Sequence, residues 1–219
     1  STLLASSAAS DVYKRQELMG KGEKEKKDLY IEGVQNNGII NHYEYIINSE
    51  GTIEIRHVLK PEGKMPLWFP RIGLTLTVSD ALDQVKWYGR GPQENYPDRK
   101  TGYPTGIYAS TVQAMYEPYL MPQDYGLRTD VRWLQLTTDK GIGLQFKMNE
   151  WFNFNIYPYS TDNLTKAMYT YQLQKQKGMT LNLDYATTGV GCTARGVFGA
   201  YKAMPQEYRR TISIRPMMK

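Results

Sequence analysis

The segment Arg71–Val78, "RIGLTLTV", sets the period of the chain: Ile72, Leu74, Leu76 and Val78 alternate with Gly73, Thr75 and Thr77. A period of two belongs to a β-strand, whose successive side chains leave on opposite faces. Branched residues on one side and small ones on the other describe a strand buried on one face. The same period runs outward in both directions. Upstream lie "LYIEGV" (Leu29–Val34), "HYEYII" (His42–Ile47) and "TIEIRHVL" (Thr52–Leu59), the last with Ile53, Ile55, His57 and Leu59 on one face. "NSEG" (Asn48–Gly51) joins the second and third as a hairpin turn. Downstream, "VRWLQLTT" (Val131–Thr138) turns at Asp139-Lys140-Gly141 into "IGLQFKM", with Ile142, Leu144, Phe146 and Met148 on one face. "WFNFNIY" (Trp151–Tyr157), "TLNLDY" (Thr180–Tyr185) and "RRTISI" (Arg209–Ile214) complete the set. Only "STDNLTKAM" (Ser160–Met168) offers a helix, capped by Thr161 or Asp162. About ten or more short strands joined by Gly/Pro turns predict an all-β fold of antiparallel sheets packed face to face.

Composition narrows the class. Charged residues at 22% and apolar ones at 41% suit a globular domain. The net charge of +5 raises the question of nucleic acid, but much of it comes from "GKGEKEKKD" (Gly20–Asp28), which alternates sign and reads as a solvated linker. No nucleic-acid partner is expected. No apolar run reaches the length of a membrane span, so none is expected there either. The Ser/Ala-rich start, "STLLASSAASDVYKRQ", has the character of a cloning or assembly scar rather than a targeting signal. Residues 1–27 are therefore expected to be a non-native or disordered tail and linker, and residues 28–219 one β-sandwich domain. A single cysteine, Cys192, excludes an internal disulfide framework; with neither His42 nor His57 near it in sequence, it reads as a small buried residue. Tyrosine is abundant, with 18 copies, and suits half-buried strands or aromatic platforms for sugars.

Three irregular stretches interrupt the strands: "KPEGKMPLWFP" (Lys60–Pro70), "GRGPQENYPDRKTGYPTG" (Gly89–Gly106) and "YEPYLMPQDYGLR" (Tyr116–Arg128). On a sandwich such loops carry function while strands position them. Gly89 and Gly91 let the backbone turn, and Pro92 stiffens it. Asp98 and Arg99 either pair with each other or hold the loop to the sandwich. Gly126 reads as a turn, and Arg128 as a member of a buried or interdomain ion pair. His57 reads as a packed core or interface residue and His42 as an edge or loop residue.

The blocks "FPRIGLTLTV", "VKWYGRGPQENYPDR", "YEPYLMPQDYGLRTDVRWLQL", "FNFNIYPYSTDNL" and "LNLDYATTGVG" resemble, in that order, the C-terminal small-chain domain of LacZ-type bacterial β-galactosidases of glycoside hydrolase family 2. The resemblance covers Leu29 to Met217. It implies an antiparallel β super-sandwich like that of galactose mutarotases. It also implies a context: the last domain of a longer, homo-oligomeric, cytoplasmic or periplasmic enzyme, packed against a TIM barrel that hydrolyses terminal β-D-galactosides. A retaining glycosidase needs two carboxylates about 5–5.5 Å apart. In the family both lie on the barrel, and this sequence shows no βα alternation, so no catalytic residue is expected here.

The resemblance places the loop from Gly91 to Arg99 beside the active-site mouth, and a loop with such glycines and a proline can shift between open and closed positions over a substrate. Glu94 matches a glutamate near a divalent ion, making Mg²⁺ the expected metal there, with Na⁺ in the intact enzyme. Glu94 and Asn95 offer hard oxygen ligands of the kind Mg²⁺ takes. Where family members follow "GIGG" with Asp-Asp-Ser-Trp, this chain runs "GVGCTARGVFGAY" (Gly189–Tyr201), with Gly196 in place of the sugar-stacking tryptophan. Phe198, Tyr201 and Arg195 are the candidates to replace it, and a galactoside other than lactose becomes a candidate substrate. Two rivals stand beside this reading. One is a free-standing carbohydrate-binding module; the other is a mutarotase-like epimerase using a histidine and a carboxylate. The isolated chain is expected not to hydrolyse a chromogenic galactoside, and turnover by the chain alone would contradict the domain reading.

Overall fold

The computed structural model describes residues 38–191 and 196–218. Among them, nine strands follow one another: β1 (Gly38–Ile47), β2 (Ile53–Glu62), β3 (Arg71–Val78), β4 (Gln84–Arg90), β5 (Thr105–Thr111), β6 (Arg128–Thr137), β7 (Gly143–Tyr157), β8 (Met179–Thr187) and β9 (Tyr208–Met217). One short helix, α1 (Thr161–Lys166), and 3₁₀ turns at Thr170–Gln172 and Gly199–Tyr201 accompany them. No helix among the described residues is long and apolar enough to cross a membrane. The expected strand Leu29–Val34, together with Cys192 and Arg195, lies outside the described residues.

Every strand pair is antiparallel, as an all-β sandwich built of hairpins requires. The strands form one hydrogen-bonded sheet rather than two separate ones, in the order β1-β2-β9-β7-β6-β4-β5, with β8 and β3 branching from β7. The fork lies within β7. Its first half, Gly143–Met148, pairs β9, and its second half, Asn153–Tyr157, pairs β8. Both halves keep β6 on the other edge. The two arms then close on one core. Ile55, Leu59 and Ile212 from one arm share a cluster with Ile72, Leu74, Leu181 and Leu183 from the other, around a fully buried Trp87. Burying these faces stabilises the sandwich at roughly 25 cal/mol per Å² of apolar area.

The local differences from expectation have physical causes. "IGLQFKM" and "WFNFNIY" form one 15-residue strand because β6 stays beside both. Ile142 falls in the turn before it and is 53% exposed, so it does not share the face of Phe146. β3 alternates as expected at its Val78 end, but near Arg71 both faces are buried. There Gly73 lies against β8 so closely that a Cβ would sit 2.3 Å from the Leu183 carbonyl oxygen. The cap of α1 is Ser160, whose side chain accepts from the Asn163 amide, rather than Thr161 or Asp162. Several tyrosines pack outside the main core: Tyr125, on a loop, and Tyr157, at the end of β7, form a second cluster with Leu164, packed by Tyr116, Tyr119 and Tyr159.

His42 is exposed on the edge strand, and His57 is a core residue. His57 Nδ1 lies 2.7 Å from the Tyr185 hydroxyl, and Nε2 lies 3.0 Å from Asn41 Oδ1. The amide oxygen accepts, so Nε2 carries the proton and Nδ1 accepts from Tyr185. Burial lowers the His57 pKa from 6.5 to about 4. The unfolded chain takes up a proton near pH 6.5 that the folded chain refuses until about pH 4, so this contribution to stability is lost as pH falls through that window. Asp184, pushed up to about 6 by burial against the pull of Arg71, acts with the opposite sign, losing its contribution as pH rises. Comparing wild type with His57→Phe cancels the Asp184 part. Between pH 7 and pH 4, wild type is expected to lose about 3 kcal/mol relative to the variant in denaturant unfolding. A pH-independent difference would show that His57 titrates normally.

Candidate functional site

β4 delivers the chain into the loop between Arg90 and Thr105. Both ends are pinned at one point. Asp130 pairs with Arg90 Nε and, at 2.9 Å, with Lys100 Nζ, while Arg90 Nη1 donates to the carbonyls of Lys100 and Tyr103. Asp130 sits at φ +56°, a left-handed conformation that aspartate tolerates better than most residues. Gly89 and Gly91 serve close packing rather than a sharp turn, since neither has a positive φ. A Cβ on Gly91 would meet the Tyr108 ring at 2.8 Å and the Trp87 ring at 3.0 Å.

Glu94 occupies the middle of the loop and is only 7% exposed. Its Oε1 accepts from the Tyr119 hydroxyl and from Arg99 Nη2 at 2.8 Å. Its Oε2 accepts from the Gly126 amide at 2.9 Å and from the Tyr96 hydroxyl at 3.3 Å. Four donors from two loops thus surround one carboxylate. Burial alone would push its pKa up, but Tyr119, Gly126 and Arg99 outweigh this and hold it below the usual carboxylate range. Gly126 turns at φ +77°, the turn expected of it. This donor set does not fit a Glu94-bound Mg²⁺: a cation needs oxygens facing it, and here a guanidinium, two hydroxyls and an amide face the carboxylate. No group of three or more His, Cys, Asp or Glu that could hold a metal ion occurs among the described residues.

Asn95 is not an exposed oxygen on the rim; it is fully buried. Its amide donates to the Leu127 carbonyl at 2.8 Å, its Nδ2 donates to Gln93, and its Oδ1 accepts from the Thr129 amide and hydroxyl. Arg128 is buried as expected, but among the described residues it meets carbonyls and a ring rather than a carboxylate. It donates to the carbonyls of Pro92 at 2.9 Å and Gly126 at 2.8 Å and lies over the Trp87 ring. Burial lowers its pKa to about 10, which leaves it charged at neutral pH.

Asp98 and Arg99 do not pair with each other. Arg99 reaches Glu94, and Asp98 points away to the loop that follows β8. Its two oxygens accept from the backbone amides of Val190 at 3.0 Å and Gly191 at 2.7 Å. The carboxylate lies so close that a Cβ on Gly189 would sit 2.3 Å from its Cγ. The Gly189 amide in turn donates to the Tyr201 carbonyl. Asp98 therefore ties the first loop to the segment that carries Phe198 and Tyr201, which are 67% and 40% exposed. Two residues of this system had no distinguishing signal in the sequence. Tyr119 was one of 18 tyrosines, and Asp130 was one of many acids on a strand. A second carboxylate, Glu117, is half-buried, and its pKa is raised first by burial and then by the charge of Glu94. Asp184 and Asp124 share Arg71, but Asp184 is 1% exposed and out of reach of a substrate.

Fold and site together define a β-sandwich domain that presents interlocked, internally braced loops. The chain belongs to the beta galactosidase small chain family, whose match runs over residues 6–214. It is similar to the β-galactosidase of Priestia megaterium, with 36% identity over 164 residues, covering 74% of this chain and 16% of the relative. It is also similar to that of Vibrio cholerae, 39% identical over 122 residues, covering 56% and 11%. The enzyme of Leuconostoc mesenteroides is 31% identical over 157 residues, covering 69% and 14%. The chain thus spans no more than 16% of the length of these curated relatives.

Glu94→Ala would strand a guanidinium, an amide and two hydroxyls in a partly buried site. It is expected to cost about 2–3 kcal/mol in denaturant unfolding and to speed hydrogen exchange at the Gly126 amide. An unchanged unfolding midpoint would show that the four contacts contribute nothing net.

Proposed function

We propose that this chain acts as the small-chain domain of a longer β-galactosidase, supplying part of the rim around the reaction centre rather than the bond-breaking groups. One observation carries the reading. Two successive acidic positions on the first loop, Glu94 and Asp98, lock that loop to two others, with Gly126 on one side and Val190 and Gly191 on the other. Such bracing suits a surface that must hold a neighbour's substrate in place, because positioning loses its effect when the positioning groups drift. The substrate class is a terminal β-D-galactoside, as the names of the relatives suggest.

Within this reading each group has a role. Phe198 and Tyr201 are the exposed rings available for an apolar sugar face. Asp98 is a positioning residue that acts through the segment carrying them. Glu94 and Asn95 hold the loop from within and do not meet the sugar. The chain's contribution is orientation and exclusion of water, with protonation and nucleophilic attack left to the rest of the enzyme.

Asp98→Ala in the longer enzyme is expected to lower kcat/KM for a nitrophenyl β-galactoside about tenfold or more, with the unfolding midpoint nearly unchanged because the carboxylate's partners are exposed amides. Unchanged kinetics would remove the rim role.

A further inference from the structure

The outer face of β5, β4, β6 and β7 carries a row of apolar and aromatic side chains set by strand register. Ile107 lies opposite Tyr88, Tyr88 opposite Trp133, and Trp133 opposite Lys147. The register shifts between Val131 and Trp133. Val131 and Leu134 face the core, so the two residues between them, Arg132 and Trp133, both turn away from it. The Arg132 guanidinium then lies 4.1 Å from the centre of the Trp151 ring and 5.0 Å from that of Tyr88. Trp151 is 60% exposed and Ile107 62%.

The charge on this face has one sign. Lys86 stands two residues from Tyr88 on the same side of β4 and is exposed, as is Lys147. The nearest acids in sequence are engaged elsewhere, Asp83 accepting from the side chain of its neighbour Gln84. Asp130 is held by Arg90 and Lys100, and Glu150 by Arg210. Tryptophan, tyrosine and arginine together are the residues that anchor protein–protein contacts. A patch of cations without matching acids calls for carboxylates on its partner. The chain corresponds to only 16% of the length of the Priestia relative, so most of such a polypeptide lies outside the part described.

We infer that this face is covered by another domain of the same longer polypeptide, through an apolar patch edged with carboxylates that meet Arg132, Lys86 and Lys147. The inference rests on the reading of the chain as one domain of a longer β-galactosidase. It adds a second surface of attachment, separate from the loops locked by Glu94 and Asp98.

Hydroxyl-radical footprinting read by mass spectrometry tests it on two samples, the 219-residue chain and the longer enzyme that contains it. Trp151 is expected to oxidise readily in the isolated chain and at least about fivefold more slowly in the longer enzyme, as burial of a hot-spot ring requires. Arg132→Glu in the longer enzyme is expected to return Trp151 towards the isolated-chain rate. Equal oxidation in both samples overturns the inference while leaving the domain reading intact, provided the longer enzyme hydrolyses a galactoside and loses that activity when this segment is deleted. Hydrolysis that survives the deletion overturns the domain reading instead. Protection already present in the isolated chain, with a dimer in sedimentation, assigns the face to a second copy and overturns the proposed partner.

Discussion

The architecture depends on one strand that changes partner along its length. Backbone N–H and C=O groups inside a protein need partners, so a long central strand must have a neighbour on each edge throughout. β7 meets this demand with β6 on one side and, on the other, first β9 and then β8. Because two different strands share that edge, what lies beyond them diverges into two arms. The hydrophobic faces of the arms then have each other as the nearest apolar surface, and they close around Trp87, Phe146 and Phe154. The hydrogen bond from Tyr185 on β8 to His57 on β2 marks where the arms meet.

The loops owe their shape to electrostatics rather than to apolar burial. Glu94 collects four donors and Asp98 two backbone amides, so acids close together in sequence connect three separate loops. Arg128 balances this from below, its charge held by two carbonyls and the face of Trp87. Each of these groups would be costly to bury unpaired. Their mutual satisfaction selects one loop arrangement among the many that a Pro/Gly-rich segment can adopt.

Much of the fold was legible because alternation survives in any strand buried on one face. β2 shows this clearly, with Ile55, His57 and Leu59 all turned inward as the spacing implied. Alternation says nothing about where one strand ends and the next begins when no turn residue intervenes, so β7 read as two strands. It also says nothing about which edge a strand pairs, so the fork was invisible. The functional loops were legible as places but not as contacts. Glu94 and Asn95 looked like free oxygen ligands because several of their donors, Tyr119, Gly126 and Thr129, lie about 25 to 35 residues further along the chain. The Gly91 position was marked in the sequence, yet its reason, the nearness of the Trp87 and Tyr108 rings, is a matter of packing.

By itself, the order of residues determined most of the strands, though not β4 and β5, whose ends lie in the stretch read as irregular; it also determined the hairpin turns, the core face of β2 and the family, since these follow from local period and from motifs contiguous in the chain. Only the tertiary structure decided which carboxylate is saturated and which reaches across to another loop, and which rings are left facing outward. Those properties belong to groups far apart in the chain, and their energies depend on distances that exist only once the two arms have closed.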